Sequence, residues 1–261
     1  MIKAKKSLGQ NFLIDKNILE KIVNTASIEG KNILEIGPGT GNLTSFILEK
    51  KPQKLFVVEK DTYLADALKD KYRDNLIVYN KDILEMEEAS ISNEKLTVFG
   101  NLPYNISTEI LSKWILNLKN FFWFDQLILM FQKEVADRII AKFNTSDYGR
   151  LTILTNWRLS VEKICDINPT SFLPRPKIYS SLLLFTPRKK FITLKDPRNL
   201  EKITRIFFNH RRKMIKKPFN QLFSNKHGVS DKLKINLNLR PQNLDFKTYY
   251  KLTVEYENLK G

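Results

Sequence analysis

Asn32-Ile33-Leu34-Glu35-Ile36-Gly37-Pro38-Gly39-Thr40-Gly41 is the stretch that decides the fold. A short apolar run meets three glycines spaced G-x-G-x-G, and Leu43 to Leu48 continues with helical character. A run of this length that ends in a glycine turn and opens a helix predicts a strand–loop–helix unit. The glycines allow positive φ and let the backbone approach a ligand closely. The dinucleotide fingerprint needs another Gly three residues after its second, and Asn42 stands there. No phosphate-binding Lys follows the loop either. The pattern suits a compact nucleoside ligand better than a pyrophosphate.

Working outward, strands and helices alternate. Upstream, Asp15 is placed to cap a helix with Ile18, Leu19, Ile22, Val23 and Ala26 on one face. Downstream, Lys54 to Val58 reads as a strand ending at Glu59, and 62–72 as a helix. Leu76 to Tyr79 is a strand followed by Lys81-Asp82, and Leu96 to Phe99 is a strand ending at Gly100-Asn101. Leu127 to Phe131 and Leu182 to Phe185 are further strands, with a helix over 133–143. This alternation predicts a doubly wound α/β sheet with its ligand site beyond the carboxyl ends of the strands. Gly37, Glu59, Asp82 and Asn101 all fall there, on four successive strands. After Pro187 the glycine-turned strands stop, and 198–224 and 246–260 read as basic helices. Two domains are therefore expected, 1–187 and an all-helical 188–261.

Each strand-end residue has a chemistry. Glu59 lies 22 residues after Gly37, where a carboxylate can accept from both ribose hydroxyls. Asp82 can accept from an adenine amino group. The alternatives are an exposed strand-end acid and a surface-turn Asp. Asn101-Leu102-Pro103-Tyr104 is the sharpest motif. The N6 nitrogen of adenine is a poor nucleophile because its lone pair is delocalised into the ring. The Asn101 side-chain oxygen and the Leu102 carbonyl can hold the amino hydrogens and stabilise charge that grows on the nitrogen. Pro103 stiffens the turn, and Tyr104 offers a ring for stacking on the base. No strong base is required, in keeping with two histidines, His210 and His227, that sit in isolation.

Phe172-Leu173-Pro174-Arg175-Pro176-Lys177-Ile178-Tyr179-Ser180-Ser181 is a proline-stiffened loop. Phe172 is expected on the other face of the target base, opposite Tyr104, unless it packs under the loop. Arg175 and Lys177 are candidates for phosphate contacts. His210-Arg211-Arg212-Lys213-Met214-Ile215-Lys216-Lys217 reads as a basic helical run, with Phe207, Phe208 and Met214 or Ile215 toward the core. Arg211, Arg212, Lys216 and Lys217 would then form a phosphate-binding face.

Charge points the same way. Lys and Arg number 44 against 28 Asp and Glu, a net charge of +16. Residues 188–261 carry +13 of it, with 19 basic and 6 acidic side chains, and residues 1–187 only +3. A basic segment beside a near-neutral one fits a polyanion partner. The 261 residues contain no apolar run long enough to span a membrane. The basic N-terminus lacks the apolar stretch of a secretory leader. One cysteine, Cys165, makes no internal disulfide, and with two histidines it is too little for a metal cluster. A cytoplasmic setting is expected.

Taken together, Leu8-Gly9-Gln10-Asn11-Phe12-Leu13, the glycine loop, Asn101-Leu102-Pro103-Tyr104 and Phe172-Leu173-Pro174-Arg175-Pro176 resemble the small-subunit ribosomal RNA adenine N6,N6-dimethyltransferases over nearly the whole chain. The resemblance implies a Rossmann-like S-adenosylmethionine-dependent methyltransferase sheet with a small all-helical C-terminal domain. It implies transfer of two methyl groups to each of two adjacent adenosines near the 3′ end of 16S rRNA, in an assembling 30S particle, by a monomer. It implies that Asn11, Leu13, Gly37, Glu59, Asp82 and Asn101 contact the cofactor; Asn11 and Leu13 enter through the resemblance alone. Lys60 departs from the family, which usually has an apolar residue there, and its place beside Glu59 is not expected to alter that acid's role. Large-subunit enzymes of the macrolide-resistance type are the nearest alternative, and they usually carry Ile where Leu102 stands. A non-catalytic RNA-binding factor on the same fold could dispense with Asn101 or Tyr104, and both are present. A nicotinamide oxidoreductase is disfavoured by Asn42 and by the Asn-Leu-Pro-Tyr motif.

Overall fold

Five buried residues, Asn32 to Ile36, form an inner strand of the sheet. The computed structural model describes residues 5, 8–118, 121–223 and 228–260. Residues 1–4 and 6 of the basic N-terminus, and His227, lie outside the described residues. In chain order the elements are β1 (Phe12–Leu13), α1 (Lys16–Val23), β2 (Asn32–Ile36), α2 (Asn42–Glu49), β3 (Lys54–Val58), α3 (Thr62–Tyr72), β4 (Ile77–Tyr79) and β5 (Leu96–Gly100). There follow α4 (Ser107–Asn117), β6 (Phe124–Gln132), α5 (Lys133–Ile139), α6 (Arg150–Arg158), β7 (Leu159–Ile167), β8 (Phe172–Leu173) and β9 (Ser180–Pro187). The last helices are α7 (Pro197–Phe208), α8 (Lys216–Phe223), α9 (Val229–Lys232) and α10 (Phe246–Asn258).

Seven strands form one sheet in the order β4-β3-β2-β5-β6-β9-β7. The five from β4 to β6 run parallel, and β9 is antiparallel to β6. The chain leaves β2 outward through β3 and β4, then crosses back to lay β5 on the other side of β2. This reversal opens a crevice where a doubly wound sheet holds its ligand. Ile36 pairs with Gly100, so the glycine loop and the Asn101 turn leave the sheet side by side. Helices on both faces explain why β2 and β5 are buried along their whole length and read as continuous apolar runs. Leu19, Ile22 and Val23 of α1 share a core with Ile33, Ile47, Val57 and Phe99. Each such side chain contributes about 1.5–3 kcal/mol by leaving water.

Asp15 caps α1, accepting from the Asn17 and Ile18 amides, as the sequence predicts. Other elements were not anticipated. The β1–β8 ribbon is two residues long, antiparallel, with Phe12 opposite Leu173 and Leu13 opposite Phe172. Strand β7 and helices α4 and α6 also add to the expected set.

The chain divides into two compact units. The first is Met1–Trp114, Leu118–Ala136 and Val161–Pro187; the second is Ile115–Asn117, Asp137–Ser160 and Arg188–Gly261. The second unit therefore takes up 137–160, which the expected boundary at 187 assigned to the first. The reason is packing: α6 lies against α7 and α10. There the Tyr148 hydroxyl donates to the Leu244 carbonyl, and that of Tyr250 to the Ile153 carbonyl. Buried Glu257 of α10 accepts from the backbone amides of Lys195 and Asp196, where α7 begins.

The predicted basic helix over 210–217 is also corrected. Helix α7 ends at Phe208, residues 209–215 form turns, and α8 starts at Lys216. Ile215 is the residue that turns inward, fully buried, while Met214 is 58% exposed.

Candidate active site

The crevice at the ends of β2, β3 and β5 is a cavity lined by segment 8–13, the glycine loop, Glu59, Asp82 and Asn101 to Ile106. Asn11, Leu13, Gly37, Leu102, Pro103 and Tyr104 all belong to its wall. The first wall is the glycine loop. Gly37 and Gly39 have φ of +65° and +58°, in the left-handed region. A Cβ on Gly39 would stand 2.7 Å from the Phe12 ring, so the loop and segment 8–13 pack as closely as glycine permits.

Two carboxylates face this loop. Glu59 is buried, and its two oxygens accept from the Gly39 amide at 3.1 Å and the Asp61 amide at 2.9 Å. Burial pushes its carboxyl above the usual range, against the pull of those amides. Each oxygen retains acceptor capacity, so further hydroxyl donors would satisfy a carboxylate that burial otherwise penalises. Asp82 accepts from the Leu84 amide at 3.0 Å and pairs with Lys60 at 2.6 Å. Partial burial works upward on this carboxyl, but the Lys60 and Leu84 bonds prevail and hold it low. Lys113 secures the turn that carries Asp82 by donating to the carbonyls of Ile83 and Met86 and to Glu88.

The Asn-Leu-Pro-Tyr turn is oriented from two sides. The Asn101 side-chain amide donates to the Asn11 carbonyl at 2.7 Å, which commits its nitrogen and leaves its oxygen as an acceptor. The Tyr104 hydroxyl shares a 2.5 Å hydrogen bond with the Ser180 hydroxyl at the start of β9. Burial raises the phenol above its ordinary value, so the ring stays neutral. These residues fit an adenosine-bearing group: a buried diol acceptor in Glu59, an amino acceptor in Asp82, apolar walls such as Ile36 and Ile83, and a glycine loop.

The sequence matches the ribosomal RNA adenine dimethylase family over residues 1–258. The chain belongs to that family. It is 66% identical over 260 residues to a ribosomal RNA small subunit methyltransferase A of Pelagibacter ubique, covering 100% of this chain and 99% of the relative. Among solved structures, a dimethyladenosine transferase from Plasmodium falciparum superposes with a TM-score of 0.81 at 28% identity, over 95% of this chain and 98% of that one. The 23S rRNA methyltransferase ErmE shares the fold, with a TM-score of 0.68 at 24% identity, over 96% and 100% of the two chains. This dimethylase is thus a Rossmann-like methyltransferase in architecture.

Not every expected site residue joins the cavity. Phe172 is 2% exposed and packs in the core beside Leu13 and Leu182. Its ring is held there by the β1–β8 pairing, which corrects the expectation of a free face for the target base. Arg175 and Lys177 are exposed on the loop that follows. In the second unit Arg212, Lys216 and Lys217 are exposed. Arg211 differs: its guanidinium donates to the carbonyls of Tyr148 and Thr145 and to Gln242. Those bonds hold the turn after α7, so Arg211 serves the dimethylase as a structural cation.

Four residues of the site escaped the sequence reading. Asn42, noted there as a missing glycine, donates to the Leu13 carbonyl at 2.7 Å. Lys60 reaches Asp82 rather than standing idle beside Glu59. Gln10 and Asp61 bond one another; the Asp before a predicted helix was the one visible cue, as an N-cap. No helix among the described residues is long and apolar enough to cross a membrane.

Proposed function

We propose that this dimethylase converts two adjacent adenosines near the 3′ end of 16S rRNA to N6,N6-dimethyladenosine. It would act with S-adenosylmethionine, as a monomer, on the assembling 30S particle in the cytoplasm. The single observation that carries the reading is Asn101. Its amide nitrogen is committed to Asn11, so its oxygen is presented as an acceptor at the strand end beside the glycine loop. The small-subunit name of the relative at 66% identity supports the choice of RNA.

Glu59 would hold the ribose hydroxyls of the cofactor and Asp82 its adenine amino group, with Gly37 and Leu13 closing on it. S-adenosylmethionine bound there supplies an electrophilic methyl group on a sulfonium sulfur. The Asn101 oxygen and the Leu102 carbonyl accept from the N6 hydrogens of the target adenosine, which favours a tetrahedral nitrogen with an available lone pair. Their dipoles then stabilise the positive charge that N6 acquires as the new carbon–nitrogen bond forms. The methyl carbon–sulfur bond would break as this one forms, leaving S-adenosylhomocysteine, and the N6 proton is lost to solvent; after exchange for a second S-adenosylmethionine the singly methylated amine, held by its remaining hydrogen, would accept the second methyl. Tyr104 stacks on the base, its hydroxyl anchored on Ser180. Arg175 and Lys177, and in the second unit Arg212, Lys216 and Lys217, supply cations for phosphates.

The test incubates the protein with labelled S-adenosylmethionine and unmodified small or large subunits, then maps the label. Dimethylated neighbouring adenosines near the 3′ end of 16S rRNA are expected. Label confined to large-subunit RNA would move the protein to the macrolide-resistance type, and no label at all to a binding factor.

A further inference from the structure

We infer that Gln10 and Asp61 are positioning residues that lock segment 8–13 across the cavity and, through it, set the side chain of Asn101. This rests on the role proposed above for Asn101.

Asp61 stands where three parts of the site meet. Its carboxylate is 3% exposed. One oxygen caps α3 by accepting from the Tyr63 amide at 3.1 Å. The other accepts from the Gln10 side-chain amide at 3.2 Å, and the Lys5 ammonium reaches the carboxylate at 2.9 Å. The Asp61 backbone amide meanwhile donates to Glu59 at 2.9 Å. One residue thus joins the start of a helix, the buried acid of the cavity and the segment that covers it. Burial pushes the Asp61 carboxyl up, but the bonds from Lys5 and Gln10 outweigh it and keep the group charged.

The segment is fastened again at its far end, where the Leu13 carbonyl accepts from Asn42. Between Gln10 and Leu13 lies the Asn11 carbonyl that takes the Asn101 amide. Gln10 and Leu13 are therefore the two ends of a short strap, and its middle aims the catalytic side chain. Releasing Gln10 frees the Asn11 carbonyl to turn, and the Asn101 amide loses the bond that fixes which way its oxygen points. Cofactor enclosure and catalytic geometry are thus coupled through the Gln10–Asp61 hydrogen bond at the edge of the cavity.

The test uses the full-length protein with Gln10→Ala and, separately, Asp61→Asn. The readouts are the dissociation rate of S-adenosylhomocysteine, kcat at saturating S-adenosylmethionine, and the melting temperature without ligand. For Gln10→Ala, dissociation is expected to be faster and kcat lower, each by about tenfold, the worth of one charge-assisted hydrogen bond. The melting temperature should fall by only a few degrees, because the Asp61 carboxylate keeps the Lys5 ammonium and the Tyr63 amide as donors. Asp61→Asn retains a side chain able to cap α3 and should show a smaller change in the same two quantities. It also serves as the readout should Gln10→Ala not fold. A native dissociation rate in both variants overturns the lock. Faster dissociation with native kcat at saturation overturns the coupling to Asn101. Failure of the Asn101 reading is separable: Asn101→Ala would then still dimethylate RNA, while the strap variants would still release S-adenosylhomocysteine faster than the native protein.

Discussion

At the scale of single residues, Asn101 and Glu35 show how a buried polar group is put to different uses. Asn101 has one end tied to backbone and the other left to accept. Asn101→Ala is expected to lower kcat by about 10²–10³, the worth of one preorganised polar group at a developing charge. RNA affinity should stay within about twofold, since no phosphate contact is touched. Mass spectrometry of digested RNA measures the product, and undiminished dimethyladenosine removes Asn101 from the chemistry. Glu35 is 1% exposed in β2 and accepts from the Thr44 hydroxyl at 2.7 Å. Burial raises its carboxyl from 4.5 to about 8, Thr44 works against this, and Glu59 adds to it. The folded protein therefore keeps a proton that the unfolded chain releases near 4.5. Stability from this group is fully present below that value and is lost as pH rises toward about 8, by about 1.4 kcal/mol per pH unit. Glu35→Gln removes the titration. Without ligand, the variant should melt close to the native protein at pH 5 and above it at pH 8. Parallel melting profiles would show that Glu35 is ionised when folded.

At the scale of elements, the parallel strands were legible because both their faces are buried, so each is an apolar run cut off by glycine or polar residues. The site residues at their ends were legible for the same reason. The β1–β8 ribbon was not, because two residues carry no periodicity. Strand β7 carries a half-exposed alternation that its lysine and cysteine blur. The turn after α7 illustrates a different limit. Its residues have helical spacing, but Arg211 bonds carbonyls at Tyr148 and Thr145, more than sixty positions away. A partner at such separation leaves no mark on local sequence. Two substitution sets divide the run accordingly. Arg211→Ala should destabilise the protein by about 1 kcal/mol, because the part-buried Tyr148 carbonyl loses its donor, and thermal melting reads that loss. Alanine at Arg212, Lys216 and Lys217 should leave melting unchanged, since these side chains are exposed. RNA binding should weaken, and the slope of log affinity against log salt should flatten by about 0.7–0.9 per lost phosphate contact. An unchanged slope would take those cations out of the interface.

At the scale of the whole molecule, charge and the cavity are divided along the chain. Residues 188–261 carry +13 of the +16 net charge, whereas all cavity-lining residues lie between Leu8 and Met130, within the first unit. A ligand stabilises the parts of a fold that it contacts, by about 2.7 kcal/mol at a hundredfold excess over its dissociation constant. Opening that releases the cofactor is suppressed by that amount, and opening elsewhere is not. Hydrogen exchange with and without S-adenosylmethionine separates the two. Slower exchange is expected at 8–13, 37–42, 59–61, 82–84 and 101–106, with α7 and α10 exchanging at their free rates. RNA should give the complementary pattern in part, slowing the exposed basic turn before α8, and added salt should abolish that effect before it touches the cofactor's. Uniform protection of both units by S-adenosylmethionine would mean that the two unfold as one cooperative body, and that the cofactor acts on the basic helices as well as on its own site.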